Sequence, residues 1–222
     1  MADARDKIFG TTLPFLSMIV GSKHSGKSEL VKFITYQYAS AFSYVVVVSP
    51  TALNGFYSTF IPAGHIHSTY SDELIDSIKN KQETLKNAGK PVQMLLILDD
   101  ILASPDVHFE KRQGSVLNLL FTANRHWNIS LLIVTQKLRG LPPACRENAD
   151  FVCITRCMRS AWGNLYDEYG TSSKEEFFQM LQECTSDYKV LMFKANVASA
   201  NDHFSCFKVP SEFLKRRFRL SY

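Results

Sequence analysis

One short stretch constrains this chain more than any other. Gly21, Ser22, Lys23, His24, Ser25, Gly26, Lys27 and Ser28 fit the spacing G-x-x-x-x-G-K-[ST]. With ordinary glycine usage, a chance match in a chain of this size arises on the order of one time in a hundred. The stretch follows an apolar run at residues 15–20 and precedes residues 29–40, which have helical character, so it occupies a strand-to-helix turn as the motif demands. Gly21 and Gly26 let the backbone curl until successive N–H groups face inward as an anion nest. The helix opening near Lys27 adds unpaired N–H groups and the positive end of its dipole. Lys27 supplies a cation for β- and γ-phosphates, and Ser28 a hydroxyl for Mg²⁺. Residues 21–28 are therefore the expected cradle for ATP with its Mg²⁺. Ser22, Lys23, His24 and Ser25 are the variable positions of the loop, which makes His24 a passenger rather than a catalyst.

The rest of the chain alternates apolar runs with helical stretches. Residues 44–49 are four valines behind an aromatic and stop at Pro50, which cannot extend a central strand. Residues 51–70 hold Gly55, Pro62 and Gly64 and read as loop. Residues 72–88 place Leu74, Ile75, Ile78 and Leu85 among charges and end at Gly89, a C-cap signal. Strands are expected at 94–98, 129–134 and 151–155, with a helix over 110–126. Ser173 with Glu176 forms a capping box that opens a helix to residue 184. Residues 188–193 and 203–209 are two late strands, too close for a helical crossover, and so a hairpin. Strands apolar from end to end and separated by helices predict an α/β fold with a mostly parallel central sheet covered on both faces.

Composition narrows the classes further. Of 222 residues, 45% are hydrophobic and 21% charged, which excludes a disordered chain. No apolar run approaches the ~18 residues of a membrane span, and the first ten residues lack the apolar core of a secretory signal. Five cysteines at irregular gaps suit a reducing compartment better than a disulfide framework. Cys153 and Cys157, with Cys145 nearby, lack the second pair or clustered histidines that a zinc site needs. No internal repeat or linker is evident, so one domain spanning 1–222 is expected, with a core at about 13–160 and an extension at 161–222. His65 and His67 are expected on an exposed loop or strand.

The strand at 94–98 runs into Asp99 and Asp100. A carboxylate at the phosphate end of a buried strand holds a Mg²⁺-bound water, the role expected of Asp99. The acid one position later points elsewhere and can polarise an attacking water, the role expected of Asp100, which would make the chemistry hydrolysis. The next strand ends in Thr135 and Gln136, and an amide there can contact a γ-phosphate or the lytic water.

These elements, in this order, resemble the FtsK-HerA group of P-loop ATPases, and more narrowly the poxvirus-type genome-packaging ATPases of large DNA viruses. The residues that carry the resemblance are GSKHSGKS at 21–28, VVVVSPT at 45–51, LLILDD at 95–100, ANRHWNISLLIVTQ at 123–136 and LPPACRENADFVCITR at 141–156. The resemblance implies a RecA-like sheet in which the polar-ended strand lies between those of the loop and the acids, putting Gln136 beside the nucleotide. Asp-Asp departs from the Asp-Glu of cellular members and matches the viral branch. The resemblance also implies a homo-oligomeric ring, hexamer or pentamer, with an arginine from a neighbour completing the site. Arg125 is the first candidate for that finger and Arg146 the second. A finger adds delocalised positive charge where the transition state develops negative charge.

A motor of this kind moves double-stranded DNA into a capsid, with a capsid or portal protein as partner. It would work in the host cytoplasm or viral factory, or with the virion, and has no membrane role. The net charge of +4 is modest, but basic residues gather after the core motifs. Lys137, Arg139, Arg146, Arg156 and Arg159 follow the strand ends, and Lys215, Arg216, Arg217 and Arg219 crowd the C-terminus around Phe213 and Phe218. Lysine and arginine contacts to phosphates give affinity indifferent to sequence. Two other readings fit the motifs: a P-loop kinase of a small substrate, and a nucleotide-gated assembly switch with negligible hydrolysis.

Overall fold

The computed structural model describes residues 9–103, 116–199 and 202–221. One eight-stranded sheet runs through it. Its strands are β1 (Leu16–Val20), β2 (Tyr44–Val48), β3 (Ile66–His67), β4 (Met94–Asp99), β5 (Ile129–Thr135), β6 (Phe151–Ile154), β7 (Lys189–Lys194) and β8 (Phe204–Lys208). The spatial order is β3-β2-β4-β5-β1-β6-β7-β8. The first six strands are parallel; β7 is antiparallel to β6, and β8 returns beside β7 as the expected hairpin. The polar-ended strand β5 does lie between β1 and β4. Register brings the strand ends level: Val20 pairs with Thr135 and with Ile154, and Asp99 with Val134. Whatever follows these strands is therefore gathered along one edge.

Seven α-helices accompany the sheet among the described residues: α1 (Lys27–Gln37), α2 (Asp72–Asn87), α3 (Val116–Ala123), α4 (Pro143–Glu147), α5 (Trp162–Tyr169), α6 (Lys174–Cys184) and α7 (Ser211–Leu214). Residues of β1, β2, β4, β5 and β6 alternate between two cores, which explains why these strands carry no polar face. On one face, Met18, Val46, Leu96 and Leu131 meet Ile75 and Ile78 of α2, Leu120 of α3, Leu165 of α5 and Phe177 of α6. On the other, Ile19, Val45, Ile97 and Leu132 meet Val31 and Ile34 of α1, Tyr57, Phe60 and Phe213. Each such side chain, fully buried, contributes about 1.5–3 kcal/mol. Ser71 caps α2 by accepting from the Leu74 N–H, and Ser173 with Glu176 completes the expected capping box at α6.

Several expectations need correction. The helix expected over 110–126 is α3 followed by a 3₁₀ turn, Asn124–Trp127; residues 110–115 lie outside the described residues. Asn124 ends α3 because its side-chain amide is drawn inward, donating to the carbonyls of Phe15 and Ile129. Residues 51–70 hold three 3₁₀ turns and the two-residue β3, which pairs with Val47 and Val48. His65 and His67 are half-buried rather than exposed, and the His65 Nδ1 lies 3.0 Å from the Val45 carbonyl oxygen. Helix α5 had no periodic signal; its buried residues are Leu165 and Tyr169, one turn apart. The C-terminal segment packs back on the core. Phe213 and Leu220 are buried, the Leu220 N–H donates to the Phe60 carbonyl, and the Phe218 ring lies against Phe60 and Tyr36. No helix among the described residues is long and apolar enough to cross a membrane.

Candidate active site

Residues 21–26 turn the chain from β1 into α1, and the turn is tied to strands on both sides. The Gly21 N–H donates to the Thr135 carbonyl and the Ser22 N–H to the Arg156 carbonyl. A β-carbon on Gly21 would lie 1.8 Å from the Thr155 Oγ1, so only glycine fits. Gly26, the N-cap of α1, has φ +90°, and His24 is also left-handed at φ 56°. The Ser25 hydroxyl bridges within the loop, donating to the Ser22 carbonyl at 2.8 Å and meeting the Thr155 hydroxyl at 2.7 Å. Thr155, the residue after β6, is thus a buttress that the motif itself did not reveal.

The Lys27 ammonium folds back over the loop, donating to the Gly21 and Ser22 carbonyls at 2.8 and 2.7 Å. Burial lowers its pKa, while Asp100 and, less strongly, Asp99 oppose that shift. Both acids therefore act electrostatically on the loop lysine. Phosphate oxygens, being charged, are stronger acceptors than those neutral carbonyls.

Asp99 and Asp100 diverge because β4 ends between them. Asp99 is the last strand residue, whereas Asp100 is left-handed at φ 54° with its N–H donating to the Val134 carbonyl. The Asp99 Oδ2 turns toward the β2 side, where it accepts from the Tyr57 hydroxyl at 2.7 Å and the Ser49 hydroxyl at 3.1 Å. Desolvation raises the Asp99 pKa, and these two donors pull against it. The Tyr57 phenol is pushed far up by burial beside that carboxylate and stays a donor. Asp100 turns the other way, and its Oδ2 accepts from the Gln136 amide at 2.9 Å. Tyr57 carried no motif, and Ser49 was visible only as the serine that closes the valine strand in VVVVSPT.

The donor set suits Mg²⁺. No bond from a described residue engages the Ser28 hydroxyl or the Asp99 Oδ1, and both are hard oxygen ligands. No cluster of three or more His, Cys, Asp or Glu suited to a metal exists among the described residues. Bound there, Mg²⁺ would supply charge neutralisation at the phosphates; orienting the carboxylate falls to Ser49 and Tyr57.

Neither finger candidate is bonded to these site residues in its own chain. Arg125 precedes β5, at the opposite ends of the strands, and donates to the Asp150 Oδ1 at 2.8 Å. Its side chain is 64% exposed. Arg146 on α4 is mostly buried, with its Nε donating to the Leu141 carbonyl and its guanidinium paired to Glu168 of α5. A cleft of about 910 Å³ opens beside the loop, walled by Gln136, Leu138 and Leu165 and edged by Lys23, Lys137, Arg139 and Arg156. Within the C-terminal cluster, the Arg216 guanidinium lies 4.7 Å from the Tyr36 ring centroid, while Lys215, Arg217 and Arg219 are exposed.

Known proteins share this architecture. The genome-packaging NTPase B204 of Sulfolobus turreted icosahedral virus 2, solved with ATP-γS, superposes with a TM-score of 0.65 at 19% identity, over 89% of this chain and 98% of that one. The conjugation coupling protein TcpA of plasmid pCW3 does so with a TM-score of 0.60 at 13% identity, over 90% and 64%. What these chains share with this one is the fold. In sequence, protein 075L of Invertebrate iridescent virus 6 is 30% identical over 95% of this chain and 83% of its own length. Protein 088R of Invertebrate iridescent virus 3 is 29% identical over 87% and 75%. The model of the family described as Poxvirus A32 protein matches residues 5–217, and the chain belongs to that family.

Proposed function

We propose that this chain is a viral genome-packaging ATPase: it hydrolyses ATP with Mg²⁺ and uses the energy to drive double-stranded DNA into a capsid. One observation carries the reading. The Gln136 amide bonds to Asp100 on the sheet edge that holds the phosphate loop, beside a second carboxylate fixed by two hydroxyls. Residues 21–28 hold the phosphates, with Lys27 on the β- and γ-groups. Ser28 and Asp99 hold the metal, Asp100 activates the water, and Gln136 orients it. The packaging role rests on the family and on the likeness to B204.

Work in a ring of five or six subunits would let Arg125 reach a neighbour's nucleotide, and would repeat the basic edge of Lys23, Lys137, Arg139 and Arg156 around a pore for DNA. A capsid or portal protein, in the viral factory or on the virion, is the matching partner. The test is the ATPase rate of size-fractionated protein with and without duplex DNA, together with Asp100→Asn. DNA stimulation in an oligomeric fraction, and an Asp100→Asn variant that binds ATP but turns over at least a hundred-fold more slowly, are the expected results. A rate indifferent to DNA in every fraction refutes the motor, and turnover surviving in Asp100→Asn refutes the base.

A further inference from the structure

Tyr188 stands at the phosphate loop in a way the fold does not require. The residue is 64% exposed, one of few large apolar groups on the surface among the described residues. It follows Asp187, and both residues are left-handed, at φ 50° and 56°. Consecutive left-handed residues are disfavoured, most of all for a bulky aromatic, and such outliers cluster at functional sites. The turn is held from two sides: the Lys189 N–H donates to the Ser186 carbonyl, and Lys208 of β8 donates to the Asp187 carboxylate at 2.7 Å. No described residue gives the Tyr188 hydroxyl a hydrogen bond or its ring an aromatic neighbour. The ring instead approaches the cradle. A β-carbon on Gly26 would lie 3.3 Å from its Cδ1, and Tyr188 closes a cavity of about 330 Å³ whose other walls are residues 24–29.

Topology fixes which end of a nucleotide that cavity receives. In the sheet order, β4 and β5 with Asp99, Asp100 and Gln136 lie on one side of β1, and β6 and β7 lie on the other. Lys27 takes the β- and γ-phosphates, and the acids face the γ-phosphate through the metal and the attacking water. The nucleoside must then leave the cradle on the side away from them, along the start of α1, where Tyr188 waits at the head of β7. Lys27 and Ser28 are among the walls of this cavity, Tyr188 stands across from them, and none of Asp99, Asp100 or Gln136 lines it.

We propose that Tyr188 is the stacking platform for the base of the bound nucleotide, an inference that rests on the nucleotide reading above. The hairpin β7–β8 then holds one aromatic face at a fixed distance from the phosphate nest. Stacking depends on ring area and not on a hydrogen-bond pattern, so the platform favours purine over pyrimidine nucleotides without choosing sharply between ATP and GTP.

The experiment measures binding of ATP, UTP and inorganic triphosphate by calorimetry, with Mg²⁺, to the native chain, Tyr188→Ala and Tyr188→Phe. Expected are an ATP affinity about ten-fold weaker in Tyr188→Ala and near native in Tyr188→Phe, triphosphate affinity equal in all three proteins, and a purine preference that disappears in Tyr188→Ala. ATP binding by Tyr188→Ala within two-fold of native overturns the proposal, as does equal loss of ATP and triphosphate. A native chain that binds neither ligand removes the phosphate-loop reading and this proposal with it.

Discussion

The amide nitrogen of Gln136 lies 2.9 Å from the Asp100 carboxylate, joining the ends of two neighbouring parallel strands. Neither residue is inside its strand: each is the first to step beyond it. Parallel register favours the meeting: Asp99 pairs with Val134, so Asp100 is level with Thr135, and Gln136 follows one residue further along the same edge. In the proposed mechanism the amide orients the carboxylate and leaves its other oxygen for a water. Gln136→Ala frees Asp100 to rotate while leaving the cradle intact. The expected result is turnover down about ten- to a hundred-fold with ATP affinity within three-fold of native, checked by steady-state kinetics and nucleotide titration. An equal loss in both would show that Gln136 binds nucleotide in the ground state instead.

Tyr57 acts on the other acid. Its hydroxyl is one of two donors on the Asp99 Oδ2, and groups that orient a metal-binding carboxylate carry much of the metal affinity. Tyr57→Phe keeps the ring packed against Phe56 and Phe60 and removes only the hydroxyl. The Mg²⁺ concentration for half-maximal ATPase rate should rise about ten-fold, as for other partners that orient metal ligands. The stability cost should stay near 1 kcal/mol. An unchanged Mg²⁺ requirement contradicts the assignment of Asp99 to the metal.

How much of this was legible beforehand divides along physical lines. The loop at 21–28, the acids after β4 and the amide after β5 are local: short-range periodicity and strand ends reveal them, and parallel pairing does the rest. The roles of Ser49, Tyr57, Thr155 and Tyr188 were not legible, because each reaches its partner only through tertiary packing, Ser49 and Asp99 being 50 positions apart and Ser25 and Thr155 130 apart. His65 and His67 misled for the same reason, since β3 is only two residues long and exists through its pairing with β2. Helix α5 escaped because eight residues with Gly163 among them offer two buried contacts and little intrinsic propensity.

Gly21 offers a test of the buttress. A methyl at this position would meet the Thr155 hydroxyl at 1.8 Å and the Ser25 hydroxyl at 2.7 Å. Gly21→Ala must therefore push β6 or the loop aside, and both stability and ATP affinity should fall. Trimming the obstacle with Thr155→Ala should return part of each, so the two substitutions together should cost less than their sum by about 0.5–3 kcal/mol. Chemical denaturation of the two single variants and the double variant reads this coupling. Additive losses would show that Thr155 does not support the loop.

The two finger candidates separate by their surroundings. Arg146 and Glu168 expose only 12% and 15% of their side chains. Arg146→Ala strands a mostly buried carboxylate and should cost on the order of 3 kcal/mol, so any loss of activity will arrive with loss of fold. Arg125 is the opposite case. Its pair with Asp150 is open to solvent on the arginine side, and the other Asp150 oxygen keeps its bond from the Leu16 N–H at 2.8 Å. Arg125→Ala should then cost less than about 1 kcal/mol. If Arg125 is the finger, this variant keeps its melting temperature within a few degrees and its ATP affinity, but loses turnover about a thousand-fold. Mixing it with Lys27→Ala subunits should restore part of the rate, because an interface can then pair an intact loop with an intact arginine. Full activity in Arg125→Ala alone excludes it from the site.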